Sequence, residues 1–386
     1  MSKEVSIKFP AKEPILDEDE VNDIMPLVPT CTIESLLFDC LHQSKIPTEP
    51  QPSMRKVKGA LLVVDISGFT LLSNKVSVDE FQNVINTYFA TLLNVVCHHN
   101  GDVVKYAGDS IFILWSTSSP DPTNTELLNC VRTALSCISE LNETCSQYKV
   151  KIGNGQQNWL EESTDGIIEK LGSKYHFLNI HSSLTSGDIA VINIGHKGRW
   201  ECLLAGEPVN KLVYTIDQAA QGKVVLCKET HDLLSLTGSI SATCEGSHSK
   251  CSCVVKRDCY EYNAEHHQNH FLAEPGSITQ RTLKEIIEDF VVSQPKTRRL
   301  FLDRKVLIQS IQNILPLFVH ESSRCLLEFC GDKESVHSEN LISDLRNVVS
   351  IFIKVPVHIT DEVRFQFLYY NLCSQSCLFC FVGHKP

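Results

Sequence analysis

The sequence predicts an α+β fold, an antiparallel sheet with flanking helices, because its hydrophobic period changes in a regular order. Residues 59–66 are apolar on both faces, as in a central strand that is buried on both sides. From Val78 to His98 the apolar residues recur at helical spacing. Two short β-type runs joined by Ala107-Gly108-Asp109 then indicate a hairpin. A strand, a helix and a hairpin are therefore expected in this order.

The alternation continues after the hairpin. A second amphipathic helix is predicted from Thr125 to about Cys145, and a later helix from Val209 to Gln221. A turn is expected at Ser186-Gly187-Asp188-Ile189. The strand candidates in this part of the chain are Phe177–Leu184, Asp188–Ile194, Trp200–Leu204 and Val224–Cys227. The resulting β-α-β-β-α-β order, with additions, is that of a ferredoxin-like split βαβ plan.

Composition limits the possible classes of protein. A chain of 386 residues with 42% apolar and 21% charged residues is globular and long enough for two or three domains. The net charge of −11 argues against a nucleic-acid partner, which needs a basic face. Scattered cysteines and an N-terminus without an apolar signal core predict reduced thiols and a cytoplasmic protein. No apolar run reaches the roughly 18 to 20 residues that a membrane span requires, so no stable membrane insertion is expected.

Two carboxylates stand where apolar runs end in turns. Asp65 lies in Val63-Val64-Asp65-Ile66-Ser67-Gly68-Phe69-Thr70, and Asp109 lies in Lys105-Tyr106-Ala107-Gly108-Asp109-Ser110. Each segment alone is more typical of an ordinary turn or hairpin. Together, with a helix between them, they favour a shared metal site, because Mg²⁺ prefers oxygen ligands and two such ions can hold a triphosphate.

The residues after Asp65 suggest a phosphate site. Ser67, Gly68, Phe69 and Thr70 are predicted to open the next helix, where free N–H groups and the helix dipole favour phosphate oxygens. Gly68 would allow close approach of the phosphate, and Thr70 can donate a hydroxyl hydrogen bond.

These motifs, with the turns at 186–189 and 204–210, resemble the class III nucleotidyl cyclase homology domain over residues 59–262. They are most similar to the first cyclase domain of the animal soluble, bicarbonate-responsive adenylyl cyclases. The resemblance implies that Asp65 and Asp109 are catalytic and bind two Mg²⁺ or Mn²⁺ ions, with the Ile66 carbonyl as a backbone ligand. It also implies ATP as the substrate, converted to cyclic AMP and pyrophosphate. The choice of ATP over GTP rests on this resemblance alone.

The chain departs from the family pattern at two basic positions. The resemblance makes Lys105 the lysine of a bicarbonate pocket, although a solvated strand lysine explains it equally well. The family's partner arginine matches Val213, so bicarbonate activation is not expected to be strong. Lys211 could supply a point charge there, but lysine cannot reproduce the arginine fork. Asn179 stands where the family carries a phosphate-binding arginine.

Four regions are predicted along the chain. Residues 1–56 are a lead-in segment with a short helix near 33–41, residues 57–263 the cyclase homology domain, and residues 264–340 a linker with helices. Residues 341–386 are expected to be an incomplete second cyclase-like domain with a divergent tail. Its strand at 348–355 resembles the opening strand of the family's second domain, but about 30 further residues cannot supply a domain of roughly 150–200 residues.

Two functions remain open at this stage. The first is an adenylyl cyclase-type domain that uses two-metal catalysis and needs a complementary second domain, supplied in trans or by a homodimer. The alternative is a catalytically silent cyclase-like module that binds nucleotide or dimerises. A zinc site in the cysteine-rich segment before residue 260 is not favoured, because its C-x-C spacing and hairpin-like flanks do not fit common structural zinc sites. The residues considered for zinc are Cys244, His248, Cys251, Cys253 and Cys259.

Overall fold

A computed structural model describes residues 21, 24–42, 50–117, 122–152, 175–196, 199–236, 252–256, 258–262, 282–293 and 304–319. The predicted region 341–386, with its strand at 348–355, lies outside these residues. The helices are α1 (Thr30–His42), α2 (Phe69–Ser73), α3 (Val78–His98), α4 (Asn124–Cys145), α5 (Glu207–Ile216), α6 (Lys228–Leu236), α7 (Leu283–Ser293) and α8 (Arg304–Ile314). The strands are β1 (Ser53–Ser67), β2 (Asp102–Ala107), β3 (Ser110–Ser116), β4 (Tyr148–Lys151), β5 (Tyr175–His196), β6 (Arg199–Ala205), β7 (Val224–Cys227), β8 (Ser252–Lys256) and β9 (Cys259–Tyr262).

The described strands form one sheet in the order β2-β3-β1-β5-β7-β9-β8, and β4 and β6 also pair with β5. The first four strands of this order pair antiparallel with one another. They are connected through α3 and α4, which is the split βαβ arrangement. The α+β, ferredoxin-like fold is therefore confirmed. One pair, β5 with β7, is parallel.

β1 is central because it is apolar on both faces. Alternate β1 residues contribute to two different hydrophobic clusters, as the period of a strand requires. Ala60, Leu62, Val64 and Ile66 join residues of α3 and α4 in the larger cluster. Val57, Leu61 and Val63 join Leu212 of α5 and Cys31 of α1 on the other face. The sheet thus lies between two helical layers.

The two long helices begin at capping boxes. Ser77 and Glu80 cap α3 reciprocally, and Thr123 and Glu126 do the same for α4. Such caps typically stabilise a helix by about 1 kcal/mol. The predicted bounds of α3 are confirmed, and α4 begins one residue earlier than predicted.

β5 is the main departure from the sequence-based assignment. The predicted turn at 186–189 does not interrupt it, and the strand continues for 22 residues. Pairing with β1 explains this, because the register runs without a break from Ser53 opposite Asn193 to Ser67 opposite Asn179. β1 itself begins at Ser53 rather than at residue 59. The predicted hairpin near Cys259 is confirmed as β8 and β9.

α1 packs with α7 and α8 in a third hydrophobic cluster that includes Leu37, Phe290 and Ile311. Its N-terminus is joined to β2 by Asp102, whose carboxylate accepts the N–H groups of Thr30 at 2.7 Å and Cys31 at 2.8 Å. The position of α1 is therefore tied to the hairpin that carries Asp109. None of the described helices is long and apolar enough to cross a bilayer.

Candidate active site

Asp65 lies near the end of β1, between Ser110 of β3 and His181 of β5 in the strand register. The Ser110 hydroxyl donates a hydrogen bond to Asp65 Oδ1. His181 Nε2 lies 3.3 Å from Asp65 Oδ2. The aspartate side chain is 25% exposed. Both carboxylate oxygens are therefore oriented by neighbouring strands while one side of the group still faces solvent.

The turn of the β2–β3 hairpin brings Asp109 to the same place. The Ile66 N–H donates to the Asp109 carbonyl oxygen at 3.2 Å, so the two predicted motifs are joined directly by a backbone hydrogen bond. Gly108 has a φ of 66°, which glycine adopts readily. Asp109 is exposed at the turn. The structure thus brings together the two turns that were predicted to share a site.

Gly68 is required by the backbone of the turn that follows β1. Its φ is 105°, and a Cβ there would lie 3.0 Å from the Phe177 carbonyl oxygen and 3.1 Å from His176 Nε2. His176 Nε2 also donates to the Gly68 carbonyl oxygen at 2.9 Å. These contacts hold the turn against β5 without the help of a ligand.

The helix that opens after Gly68 is shorter than predicted. α2 has five residues, and the long helix α3 begins separately at its own cap. Because aligned peptide dipoles add along a helix, a helix of this length supplies little macrodipole. The N–H groups of this turn, rather than a dipole, are what it offers to an anion.

The side chains of this segment differ in their surroundings. The Phe69 ring packs between Phe81, Tyr88 and Phe89, so it belongs to the core. Ser67 Oγ donates to the Asn179 carbonyl oxygen at 3.3 Å. Thr70 is exposed. The Phe69 ring therefore packs against the core, whereas the Thr70 hydroxyl is accessible.

Asn179 has a local structural contact. Its Oδ1 accepts the N–H of Gln147 at 2.9 Å, in the turn between α4 and β4. Gln147 has a φ of 52°, an uncommon conformation that such a hydrogen bond stabilises. The amide of Asn179 therefore holds a turn and does not supply the charge of an arginine.

Lys105 is exposed on β2, beside a bulge between Val103 and Lys105. Val213 on α5 is 55% exposed and brings no charge. Lys211 Nζ forms ion pairs with Glu229 and, at 3.7 Å, with Glu207. Since two carboxylates compensate this ammonium group, it is poorly suited to attract a further anion.

Sequence reasoning missed His181. Its Nδ1 is buried and has no hydrogen-bond partner among the described residues. The residue could have been found only through the strand register, because nothing near it in sequence marks it as a neighbour of Asp65.

The donors of the two turns fit a hard divalent cation. Asp65, Asp109 and the backbone carbonyl groups of the turns offer oxygen atoms, which Mg²⁺ and Mn²⁺ prefer. A half-exposed carboxylate pair can accept a cation from solvent without the cost of a fully buried charge. Asp65, Asp109 and Ile66 are the residues that would hold the ions.

A family model described as the adenylate and guanylate cyclase catalytic domain matches residues 52–260, more than half of the chain. The chain belongs to this family. Adenylate cyclase type 10 of Rattus norvegicus is 25% identical over 184 residues, covering 46% of this cyclase chain and 10% of the relative. The Homo sapiens protein of the same name is 24% identical over 184 residues, with the same coverage. The chain therefore spans about a tenth of the length of these curated relatives.

Solved cyclase structures are also similar to this chain. The adenylyl cyclase CyaB from P. aeruginosa has a TM-score of 0.37 and 16% identity, covering 55% of this chain and 96% of that one. The guanylate cyclase domain of RhGC from Catenaria anguillulae, solved in complex with GTP, has a TM-score of 0.35 and 15% identity. That match covers 47% of this chain and 84% of the RhGC chain. The activity or nucleotide named for each of these structures is a property of that protein.

Proposed function

We propose that this chain is an adenylyl cyclase-type domain that converts ATP to cyclic AMP and pyrophosphate when paired with a complementary second domain. The observation that carries the proposal is the hydrogen bond between Ile66 N–H and the Asp109 carbonyl, which unites the two carboxylate-bearing turns. The catalytic-domain family of the chain and its adenylate cyclase relatives support the choice of reaction.

Each group of the site has a defined task in this reaction. Asp65 and Asp109 bind two Mg²⁺ or Mn²⁺ ions, which when bound supply charge stabilisation for the triphosphate and acidify the ribose hydroxyl. Backbone N–H groups of Gly68 and Phe69 and the hydroxyl of Thr70 donate to phosphate oxygens. Ser110 and His181 are positioning residues, because each contacts an oxygen of Asp65.

A partner domain is proposed because apolar side chains are exposed beside the site. Leu71 is 58% exposed, Tyr106 52% and Phe177 49%. Leu71 follows the Gly68 turn, Tyr106 precedes the Asp109 turn, and Phe177 lies beside Gly68 through its carbonyl group. Exposed apolar side chains that border a polar site are typical of an interaction surface. A second cyclase domain in trans, or a second copy of this chain, would cover them.

The metal and nucleotide assignment is tested by Asp65→Ala and Asp109→Ala. Each should abolish the Mg²⁺- or Mn²⁺-dependent part of ATP binding, measured by titration of a fluorescent ATP analogue. Asp188→Ala is the matched control, because this aspartate is also exposed but lies far along β5 from His181. Unchanged metal-dependent affinity in both active-site variants would refute the assignment.

Turnover is tested separately by measuring cyclic AMP production with and without an added second cyclase domain. The chain alone should show little or no activity, and the added domain should restore it. Robust production that does not respond to the added domain would contradict the proposed division of the site.

The alternative is a catalytically silent module that binds nucleotide or dimerises. It is favoured by Asn179, whose amide is engaged in a turn, and by Val213, which brings no charge. Metal-dependent ATP binding with no turnover, even beside a competent second domain, would favour this alternative. Turnover that the second domain restores would exclude it.

A further inference from the structure

Two histidines and a glutamate converge outside the proposed active site, where α3 ends against α4. His98 Nδ1 lies 3.3 Å from Glu140 Oε2, and His99 Nε2 lies 2.8 Å from the same oxygen. The three possible ligand atoms all lie within 4.8 Å of one another. The His99 side chain is 9% exposed and the Glu140 side chain 36% exposed. The group is therefore assembled and open to solvent on one side.

The backbone at this point is fixed by neighbouring elements. His99 caps the C-terminus of α3, and its N–H donates to the Val95 carbonyl oxygen at 3.2 Å. Its own carbonyl oxygen accepts a buried hydrogen bond of 2.8 Å from Trp115 Nε1. A ligand set on such a scaffold loses little conformational entropy when it binds an ion.

The cluster is separate from the proposed active site. Trp115, which holds His99, is paired with Ala60 on β1, whereas Asp65 is five positions further along that strand. At about 3.4 Å per residue, this is a separation of about 17 Å along the strand. The imidazole groups also give this cluster a different preference from the oxygen donors at Asp65.

We propose that His98, His99 and Glu140 bind a first-row transition-metal ion of the zinc type. Two imidazole nitrogens and one carboxylate oxygen suit Zn²⁺ and disfavour Mg²⁺. Tetrahedral Zn²⁺ with bonds of about 2.0–2.2 Å places its ligand atoms roughly 3.3–3.6 Å apart. The distance from His98 Nδ1 to Glu140 Oε2 already lies in this range. The distance from His99 Nε2 to the same oxygen would have to increase by about half an ångström. A fourth position remains for water.

Such an ion would join α3 to α4 across their packed surface. Because it binds the folded chain and its ligands come from both helices, binding should shift unfolding toward higher temperature. The carbonyl groups at the C-terminus of α3 add a favourable negative potential.

The test compares Zn²⁺ binding by the full chain with that of the double variant His98→Gln, His99→Gln. Competition against a chromophoric chelator is carried out in excess Mg²⁺, which occupies oxygen-only sites. The double variant should lose one Zn²⁺ equivalent or bind it at least about 100-fold more weakly. Glu143→Gln, on an exposed residue of the same helix, is the matched control and should behave like the wild type.

Two further measurements separate this site from the cysteine thiols and from a folding defect. Co²⁺ bound at this site should give visible d–d absorption without a thiolate charge-transfer band, and the double variant should lose that absorption. Circular dichroism without metal should show the same helix content in all variants. Equal Zn²⁺ stoichiometry and affinity in the wild type and a folded double variant would overturn the proposal. Failure of the Asp65→Ala test would leave this result unaffected, since the two sites share no residue.

Discussion

Replacing Ser110 by alanine should weaken metal-dependent nucleotide binding by about 10- to 100-fold. The Ser110 hydroxyl donates to Asp65 Oδ1 and therefore orients a carboxylate that is proposed to bind metal. A carboxylate oxygen has two lone-pair positions, so the hydrogen bond and a metal ligand can be accommodated together. Residues that orient a metal ligand in this way typically contribute about 10- to 100-fold to metal affinity.

The strength of the hydrogen bond from Ser110 to Asp65 gives an independent estimate of the affinity lost in Ser110→Ala. A hydrogen bond to a charged group contributes about 1.5–3 kcal/mol, or roughly 10- to 150-fold in an equilibrium constant. His181 still contacts Asp65 Oδ2 in the variant, so part of the orientation is retained. The expected loss is therefore nearer to tenfold than to the upper figure.

The assay is a Mn²⁺ titration of the binding of a fluorescent, non-hydrolysable ATP analogue. Ser116→Ala is the matched control, because it removes a hydroxyl from the same strand at the position opposite Gly59. Ser110→Thr keeps a hydroxyl on a β-branched residue and should retain most of the affinity. An affinity for Ser110→Ala that equals or exceeds that of Ser116→Ala would refute the reasoning.

Three other outcomes follow from features at a distance from the Asp65 carboxylate. Asp102→Asn should lower the free energy of unfolding in urea by about 1–3 kcal/mol, because an amide has one acceptor oxygen for the two N–H donors that Asp102 accepts. The control Asp188→Asn should change this free energy little. Bicarbonate should stimulate turnover with an added second domain weakly or not at all, because uncharged Val213 stands where the family resemblance implies a basic partner for Lys105. A several-fold response that Lys105→Ala abolishes would show the opposite. Burial raises the pKa of the Cys130 thiol to about 11. Its alkylation rate, measured by mass spectrometry, should be about 100-fold lower at pH 7 than that of an ordinary thiol. This rate should keep rising about tenfold per pH unit up to pH 11. A rate that levels off near pH 9 would contradict this.

The helices and the hairpin were predictable because their signals are local. The apolar period of α3 and its Ser77 cap lie within a few residues of each other, and the β2–β3 hairpin has its own turn sequence. The proximity of the Asp65 and Asp109 turns was expected from the family resemblance and from the fact that both residues end apolar runs. Local patterns carry such information directly.

The remaining features depend on contacts between distant segments. Gly187 resembles a turn residue in sequence, yet β5 continues through it because β1 pairs with the strand on both sides. The position of His181 beside Asp65 depends on the same register. The role of Asn179 in a neighbouring turn likewise depends on where Gln147 lies after folding. None of these facts has a signal within a short window of sequence.

β5 has a consequence for the order in which the protein forms during synthesis. β1 can pair with β3 as soon as the hairpin has emerged, but its other edge stays open until a strand more than a hundred residues later is made. At roughly 5–20 residues per second, that delay is about 5–20 s. Asp65 therefore meets His181 only after β5 has been synthesised. A ribosome-bound chain that ends at residue 152 should carry both aspartates, an exposed β1 edge and a need for chaperone protection.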